Sequence, residues 1–296
     1  MTNTPAIGSP ARTQAILNRY HLSAKKSLGQ NFLTDLNTLV GIVDAAEITT
    51  DDNVIEIGPG IGSLTEQIAK RANKVVAFEI DRNLLPVLNE TLAPYDNVKI
   101  INEDILKANL PEVIKNEFGD GRPVKVVANL PYYITTPIIL SLLKGPVDFS
   151  KIVVMMQKEV ADRLGAKIGV KAYSSLSVIV QYLHRVTVPM MVSRKSFIPS
   201  PNVDSAIVVL SDYDHRDAVA YNDKAFMGFV RGCFAHRRKT LWNNLQGIFG
   251  KQPDVKSQIQ NGLDDAGIQP SVRPEQLTVA DFVNLANTFH EIGLLK

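Results

Sequence analysis

The chain has 296 residues, of which 45% are hydrophobic and 21% charged, with a formal net charge of +2. That length predicts about two domains, and the balance excludes a collagen-like, coiled-coil or wholly disordered chain. The single cysteine, Cys233, excludes an internal disulfide and a cysteine-rich zinc site, and the count predicts a reducing, cytoplasmic setting. No apolar run is long enough for a membrane helix, and residues 1–10 lack the apolar core of a secretory signal.

Residues 1–12 read as a loose end, with a short helix over Ala11–Tyr20. Lys25–Leu33 (KKSLGQNFL) is a basic, glycine-containing loop. Asp35 is placed to cap a helix through about Ala46, with Leu36, Leu39, Val40 and Val43 on one face. Strand-like runs follow at Asn53–Ile57, Lys74–Glu79, Val98–Ile101, Val124–Ala128 and Lys151–Met156. They alternate with helical patterns at Ser63–Arg71, Arg82–Leu92, Thr136–Leu143 and Lys158–Leu164. This alternation predicts an α/β fold, a parallel sheet with helices on both faces. Val178–Val188 and Val203–Leu210 read as two more β-rich runs that pair antiparallel at an edge. Ser211–Asp217 reads as a charged linker. Beyond it, Asp223–Phe234, Lys239–Phe249, Asp254–Asp265 and Pro274–Phe289 read as helices. The expected organisation is therefore an α/β domain over 13–211 and a small all-helical domain over 218–296.

Val54–Thr65 (VIEIGPGIGSLT) runs a buried strand into a glycine turn and then a helix. Glycine permits the tight turn and lets a ligand approach the backbone. The spacing departs from the dinucleotide pattern G-x-G-x-x-G, because Ser63 stands at the third position. Glycines fall instead at 58, 60 and 62, preceded by Glu56. The pattern E-x-G-x-G-x-G resembles the first motif of S-adenosylmethionine (SAM) methyltransferases. Glu79 ends the next strand, twenty-one residues after Gly58, where a carboxylate can accept both ribose hydroxyls. That feature alone does not separate SAM from a nicotinamide dinucleotide. Asp81 reads as a helix N-cap. Asp104, at the end of the third strand, can accept from an adenine amino group, with Glu103 a solvated neighbour.

Asn129–Tyr133 (NLPYY) directly follows the fourth strand, at the carboxyl edge where ligands bind in such sheets. The exocyclic amine of a base is a poor nucleophile, because its lone pair is delocalised into the ring. Hydrogen bonds from that amine to the Asn129 oxygen and to a main-chain carbonyl favour a more pyramidal nitrogen. Pro131 fixes φ and shapes the loop, and Tyr132 can stack on an extracted base.

The pattern [DN]-x-P-[YF] is the signature of amino-methyltransferases. Asn129–Tyr132 (NLPY) is joined by three further segments: Lys26–Leu33 (KSLGQNFL), Ser196–Ser205 (SFIPSPNVDS) and Phe234–Leu245 (FAHRRKTLWNNL). Together with the glycine turn they resemble the ribosomal RNA adenine-N6 dimethyltransferase family over residues 14 to about 290. The resemblance implies a Rossmann-like SAM-dependent methyltransferase domain with a small helical C-terminal domain. It implies transfer of four methyl groups from SAM to two adjacent adenines near the 3′ end of small-subunit (16S) rRNA, during biogenesis of the small subunit. The implied cofactor contacts are Gln30, Asn31, Leu33, Gly58, Gly60, Glu79, Asp104 and Asn129. The implied acceptor site is Asn129, Leu130, Pro131 and Tyr132, with Phe197 as the second face of an aromatic clamp. Trp242 departs from the family pattern, which leads us to expect a further basic residue there.

Related macrolide-resistance dimethyltransferases modify large-subunit rRNA, but KSLGQNFL and RRKTLWNNL resemble the small-subunit branch. Arg231, Arg237, Arg238 and Lys239, with Lys25 and Lys26 beside the donor loop, are the expected RNA contacts. The expected partner is small-subunit rRNA or an immature 30S subunit, met by a monomer, with no membrane and no metal. The five histidines are scattered without metal-ligand spacing. A non-catalytic assembly factor, a nicotinamide oxidoreductase and a DNA adenine methyltransferase are the competing classes. The first leaves the glycine turn and NLPY without a role, the second leaves NLPY unexplained, and the third more often opens its motif with Asp.

Overall fold

The computed structural model describes residues 5–22, 25, 28–119 and 121–296. In chain order its helices and strands are α1 (Pro10–Arg19), β1 (Phe32–Leu33), α2 (Leu36–Ala45), β2 (Asn53–Ile57), α3 (Ser63–Ala69), β3 (Lys74–Phe78), α4 (Leu85–Thr91), β4 (Val98–Ile101), α5 (Leu110–Glu117), β5 (Val124–Asn129), α6 (Thr135–Lys144), β6 (Lys151–Gln157), α7 (Lys158–Leu164), α8 (Ser175–Leu183), β7 (Arg185–Val192), β8 (Phe197–Ile198), β9 (Ser205–Ser211), α9 (Asp223–Cys233), α10 (Leu241–Phe249), α11 (Pro253–Asp265) and α12 (Val279–Glu291). The chain divides into two compact units. One is Met1–Ala161 with Val186–Asp212, and the other is Asp162–Arg185 with Tyr213–Lys296. The helical unit thus takes in Asp162–Arg185, a detour that a single boundary near residue 211 does not contain.

In the first unit, the main sheet has the order β4-β3-β2-β5-β6-β9-β7. The five strands from β4 to β6 pair in parallel, and β9 runs antiparallel to β6. Strands β2 and β5 are buried almost throughout, as expected where helices cover both faces of a sheet. The chain leaves β4 on one side of β2 and returns as β5 on the other. The order therefore reverses between β2 and β5, and such a switch point opens a crevice at the carboxyl ends of the strands.

Helix α2 begins where Asp35 accepts from the Asn37 N–H, and it buries Thr38, Leu39, Ile42 and Val43. That face joins Leu64 and Ile68 of α3 and Val54, Val127 and Val153 of the sheet in one core. A second core gathers Ile7, Leu17, Phe32, Ile61 and Leu88. The expected loose end is corrected over residues 5–12, while residues 1–4 lie outside the described residues. Ile7 is fully buried and its N–H donates to Glu66 Oε2 at 2.9 Å, and α1 already starts at Pro10.

Two further readings change. Ser175–Leu183 is helical, and the strand begins only at Arg185. The β-branched run over 178–180 favours a strand locally, but Leu176, Val178, Ile179, Val180, Tyr182 and Leu183 are buried in the helix, and packing outweighs a propensity worth at most about 1 kcal/mol. Helix α5, none of whose residues is buried, is an element the sequence reading does not contain, although Leu110, Val113 and Ile114 recur at helical spacing.

In the helical unit, α9 buries Phe226, Phe229, Val230 and Cys233. Phe229 meets Phe289 of α12 edge-on, with ring centroids 5.8 Å apart. Asn222, Thr240 and Thr278 cap α9, α10 and α12 through their side chains. Burial pushes the Cys233 thiol far up, so it is not a thiolate nucleophile. No helix among the described residues is long and apolar enough to cross a membrane.

Candidate active site

The crevice at the switch point is a cavity of about 250 Å³. Its wall contains Gln30, Asn31, Leu33, Gly58, Gly60, Glu79, Asp104, Asn129, Leu130, Pro131 and Tyr132. Segments spread over a hundred residues of sequence thus meet in one cleft of the first unit. Parallel pairing brings Ile57 beside both Phe78 and Ala128, so the loops that follow β2, β3 and β5 leave the sheet on the same edge.

Gly58, Gly60 and Gly62 have φ of +70°, +62° and +93°, a left-handed run that L side chains resist. A side chain at Gly58 would also approach the Asn129 carbonyl oxygen, 3.9 Å from its Cβ. The turn therefore exposes bare backbone to the cleft directly beside the β5 loop.

Glu79 is 5% exposed, and its Oε1 accepts from the Asp81 N–H at 2.7 Å. Burial raises its pKa, while the N–H groups of Asp81, Gly60 and Ile80 oppose the rise. A ligand that donates hydroxyl hydrogens to this carboxylate would offset the desolvation. Asp104 accepts from the Leu106 N–H through Oδ1. Ile80 and Ile105, each next to one of these acids, supply apolar wall. Two carboxylates at adjacent strand ends, apolar walls between and beside them, and a glycine turn suit an adenosine with a polar tail. The donor set thus fits SAM.

At the other side of the cleft, Asn129 ends β5, and the Leu130 N–H donates to the Met155 carbonyl at 3.1 Å. The Thr135 hydroxyl donates to the Pro131 carbonyl at 3.0 Å, which ties the loop to α6. The Tyr132 hydroxyl sits 2.8 Å from Ser205 Oγ at the start of β9.

The segment Ser196–Ser205 (SFIPSPNVDS) has a structural part in this. Strand β1 pairs antiparallel with β8, with Leu33 opposite Phe197, and the Thr34 N–H donates to the Ser196 carbonyl. Asp204 accepts from the N–H and Nε of Arg194. Phe197 is 3% exposed and packs in the core with Leu33 and Leu39. It is not among the residues that line the cleft, so the aromatic clamp is not assembled in this conformation.

Other expected contacts fall elsewhere. Lys25 Nζ is bound to Asp81 Oδ1 at 2.8 Å and does not line the cleft. Lys26 lies outside the described residues. Arg231, Arg237, Arg238 and Lys239 are all exposed, in the helical unit at the end of α9 and in the loop that follows. Sequence reasoning gave no role to Ser205, to Tyr133, which is 57% exposed at the cleft wall, or to Ile80. Ile80 was findable as the residue following the strand-end acid. Nothing in the sequence alone pairs Ser205 with Tyr132. No group of His, Cys, Asp or Glu suited to a metal ion occurs among the described residues.

The family model described as ribosomal RNA adenine dimethylase matches residues 21–291. The chain belongs to the ribosomal RNA adenine dimethylase family. The dimethylase is 64% identical over 296 residues, the whole of both chains, to the ribosomal RNA small subunit methyltransferase A of Levilactobacillus brevis. It is 52% identical to the protein of that name from Streptococcus pneumoniae, over 95% of this chain and 97% of that one. Among solved structures, it resembles a dimethyladenosine transferase from Plasmodium falciparum, with 27% identity, a TM-score of 0.74 and coverage of 89% of this chain and 98% of that one. It also resembles the 23S rRNA methyltransferase ErmE, with 28% identity, a TM-score of 0.68 and coverage of 88% and 100%. The fold is that of a SAM-dependent methyltransferase with a helical C-terminal part, and the dimethylase is an enzyme of that class.

Proposed function

We propose that this dimethylase transfers four methyl groups from SAM to the N6 atoms of two adjacent adenines near the 3′ end of small-subunit rRNA, acting on immature 30S subunits as a monomer. The observation that carries the reading is the single cleft that joins Glu79 and Asp104 to the Asn129–Tyr132 loop. The small-subunit substrate rests on the curated relatives.

In this reading Glu79 accepts the ribose hydroxyls, Asp104 accepts from the adenine amine of the donor, and Asn31, Leu33, Gly58 and Gly60 seat the rest. Bound there, SAM supplies a methyl group on a cationic sulfur with a neutral thioether as leaving group. That donor needs no metal and no strong base. The target adenine leaves its stack, at a cost of a few kcal/mol. Tyr132 stacks on it, and the Asn129 oxygen accepts from N6. The lone pair of N6 is then less delocalised and better aligned, and alignment of this kind contributes several kcal/mol. The proton released from N6 passes to solvent. A second transfer to the same base requires room beside Asn129 for the first methyl group. We assign the methyltransferase role to the first unit and RNA placement to the helical unit, with the exposed cations at 231–239 meeting phosphate.

The test is methyl transfer from labelled SAM to small subunits, large subunits and naked rRNA, all from cells that lack the modification. Dimethyladenosine in small subunits alone supports the proposal. Activity on large-subunit rRNA alone moves the enzyme to the resistance branch, and absence of transfer with SAM and RNA both bound favours an assembly factor.

A further inference from the structure

Asp81 is 7% exposed and its carboxylate makes three contacts. Oδ1 accepts from Lys25 Nζ at 2.8 Å and from the Asn83 N–H at 3.1 Å, and Oδ2 accepts from Gln30 Nε2 at 2.9 Å. The Asn83 contact is an ordinary helix cap. The Lys25 and Gln30 contacts reach across more than fifty residues of chain to the loop that carries KSLGQNFL.

That loop is closed on itself. The Gln30 Oε1 accepts from the Lys25 N–H at 2.9 Å, and the Lys25 carbonyl accepts from the N–H groups of Leu28 and Gln30. Both ends of the closed turn therefore hang on Asp81. At its tip is Gly29, with φ of +60°. A Cβ there would lie 3.3 Å from Tyr133 Cδ1, 3.5 Å from the Tyr132 nitrogen and 3.6 Å from Pro131 Cβ. The tip thus rests against the acceptor loop, where a side chain would crowd the Tyr133 ring and be strained by the positive φ. Asn31, on the cleft wall, donates to the Gly29 carbonyl at 3.1 Å. On its other side, the Asp81 N–H holds Glu79.

We propose that Asp81 is a positioning residue for methyl transfer: by holding Lys25 and Gln30 it seats Gly29 against Pro131–Tyr133 and closes the roof between the donor and acceptor halves of the cleft. It touches neither reactant. Its main-chain N–H orients the ribose acid while its side chain sets the loop above, so one residue couples the two. In consequence Lys25 and Gln30 act as the arms of a latch rather than as phosphate and cofactor contacts. The inference rests on the reading of the cleft as a SAM and adenine site.

Equilibrium SAM binding and transfer kinetics on small subunits test it in the full-length enzyme. Asp81→Asn keeps the size and the cap but weakens the charged contact. Its SAM Kd and KM are expected to rise about tenfold, equivalent to ~1.4 kcal/mol, with the thermal midpoint nearly unchanged. Lys25→Met should raise Kd about threefold, and the double variant should bind no worse than Asp81→Asn alone, because both act through one contact. Wild-type affinity in Asp81→Asn, or costs that add in the double variant, overturns the proposal. If Asp81→Asn does not fold, Lys25→Met and Gln30→Leu decide: about threefold weaker SAM binding in each supports it, and unchanged binding in both overturns it. A wild-type enzyme that binds no SAM strikes at the reading of the cleft and not at Asp81.

Discussion

The Tyr132 hydroxyl lies 2.8 Å from the Ser205 hydroxyl, which ties the last residue of the acceptor motif to the last residue of SFIPSPNVDS. Burial pushes the Tyr132 phenol up, partly offset by the Ser205 hydrogen bond, and the nearby Asp204 charge adds a smaller rise. The ring is therefore held neutral and at a fixed tilt. Loss of one hydrogen bond costs about 1 kcal/mol. Ser205→Ala and Tyr132→Phe should each lower kcat/KM for RNA about fivefold, and the pair should cost little more than either. Tyr132→Ala removes the stacking face, worth roughly 1–3 kcal/mol per base, and should fall further. Single-turnover methyl transfer with SAM in excess measures all four.

The cationic loop of the helical unit is held by a buried side chain. Asn244 is 1% exposed; it accepts from the His236 N–H and donates to the His236 and Thr240 carbonyls. Arg237 is further tied to the Lys171 carbonyl at 2.6 Å. Asn244→Ala should weaken RNA binding without changing the slope of log affinity against log salt, since no charge is lost. Arg238→Ala with Lys239→Ala should reduce that slope by about 1.4–1.8, the counterion release of two phosphate contacts. Filter binding from low to high salt separates the two, and SAM affinity should be unchanged in both.

Glu56 gives the fold a pH dependence. It is 1% exposed, and neither of its oxygens nor the Thr65 hydroxyl meets a hydrogen-bond partner, although Thr65 lies near enough to ease the charge. Burial, with Glu79 adding to it, raises its pKa from 4.5 to about 8. Between these values the folded state holds a proton that the unfolded chain has lost. Stability should therefore fall as pH rises from about 5 to 8, by on the order of 1.4 kcal/mol per unit at most, and level off above. Glu56→Gln should flatten that part of the curve. Urea unfolding at a series of pH values measures it.

Much of this architecture is written locally. The runs at 53–57 and 124–128 are apolar because both sheet faces are covered, and Asp35 announces α2. The three glycines and the acid at 79 mark the donor side, and NLPY marks the acceptor side, because each needs an unusual backbone or side chain at a fixed distance from a strand end. What the sequence hides is long-range. Phe197 reads as a clamp from its motif, but it packs in the sheet core. Lys25 reads as a phosphate contact from its charge, but Asp81 claims it. Ser205 and Glu66, which anchor Tyr132 and the N-terminal segment, look like ordinary polar residues until the chain is folded. The apolar run at 176–183 satisfies a helix or a strand, and only its neighbours choose.

The most direct test of the account is the yield of N6,N6-dimethyladenosine per small-subunit rRNA, read by mass spectrometry, for wild-type and Asn129→Ala enzymes at saturating SAM. The account predicts two fully dimethylated, adjacent adenines with the wild type and none with Asn129→Ala, while that variant still binds SAM. Dimethyladenosine formed by Asn129→Ala at the wild-type rate would contradict it.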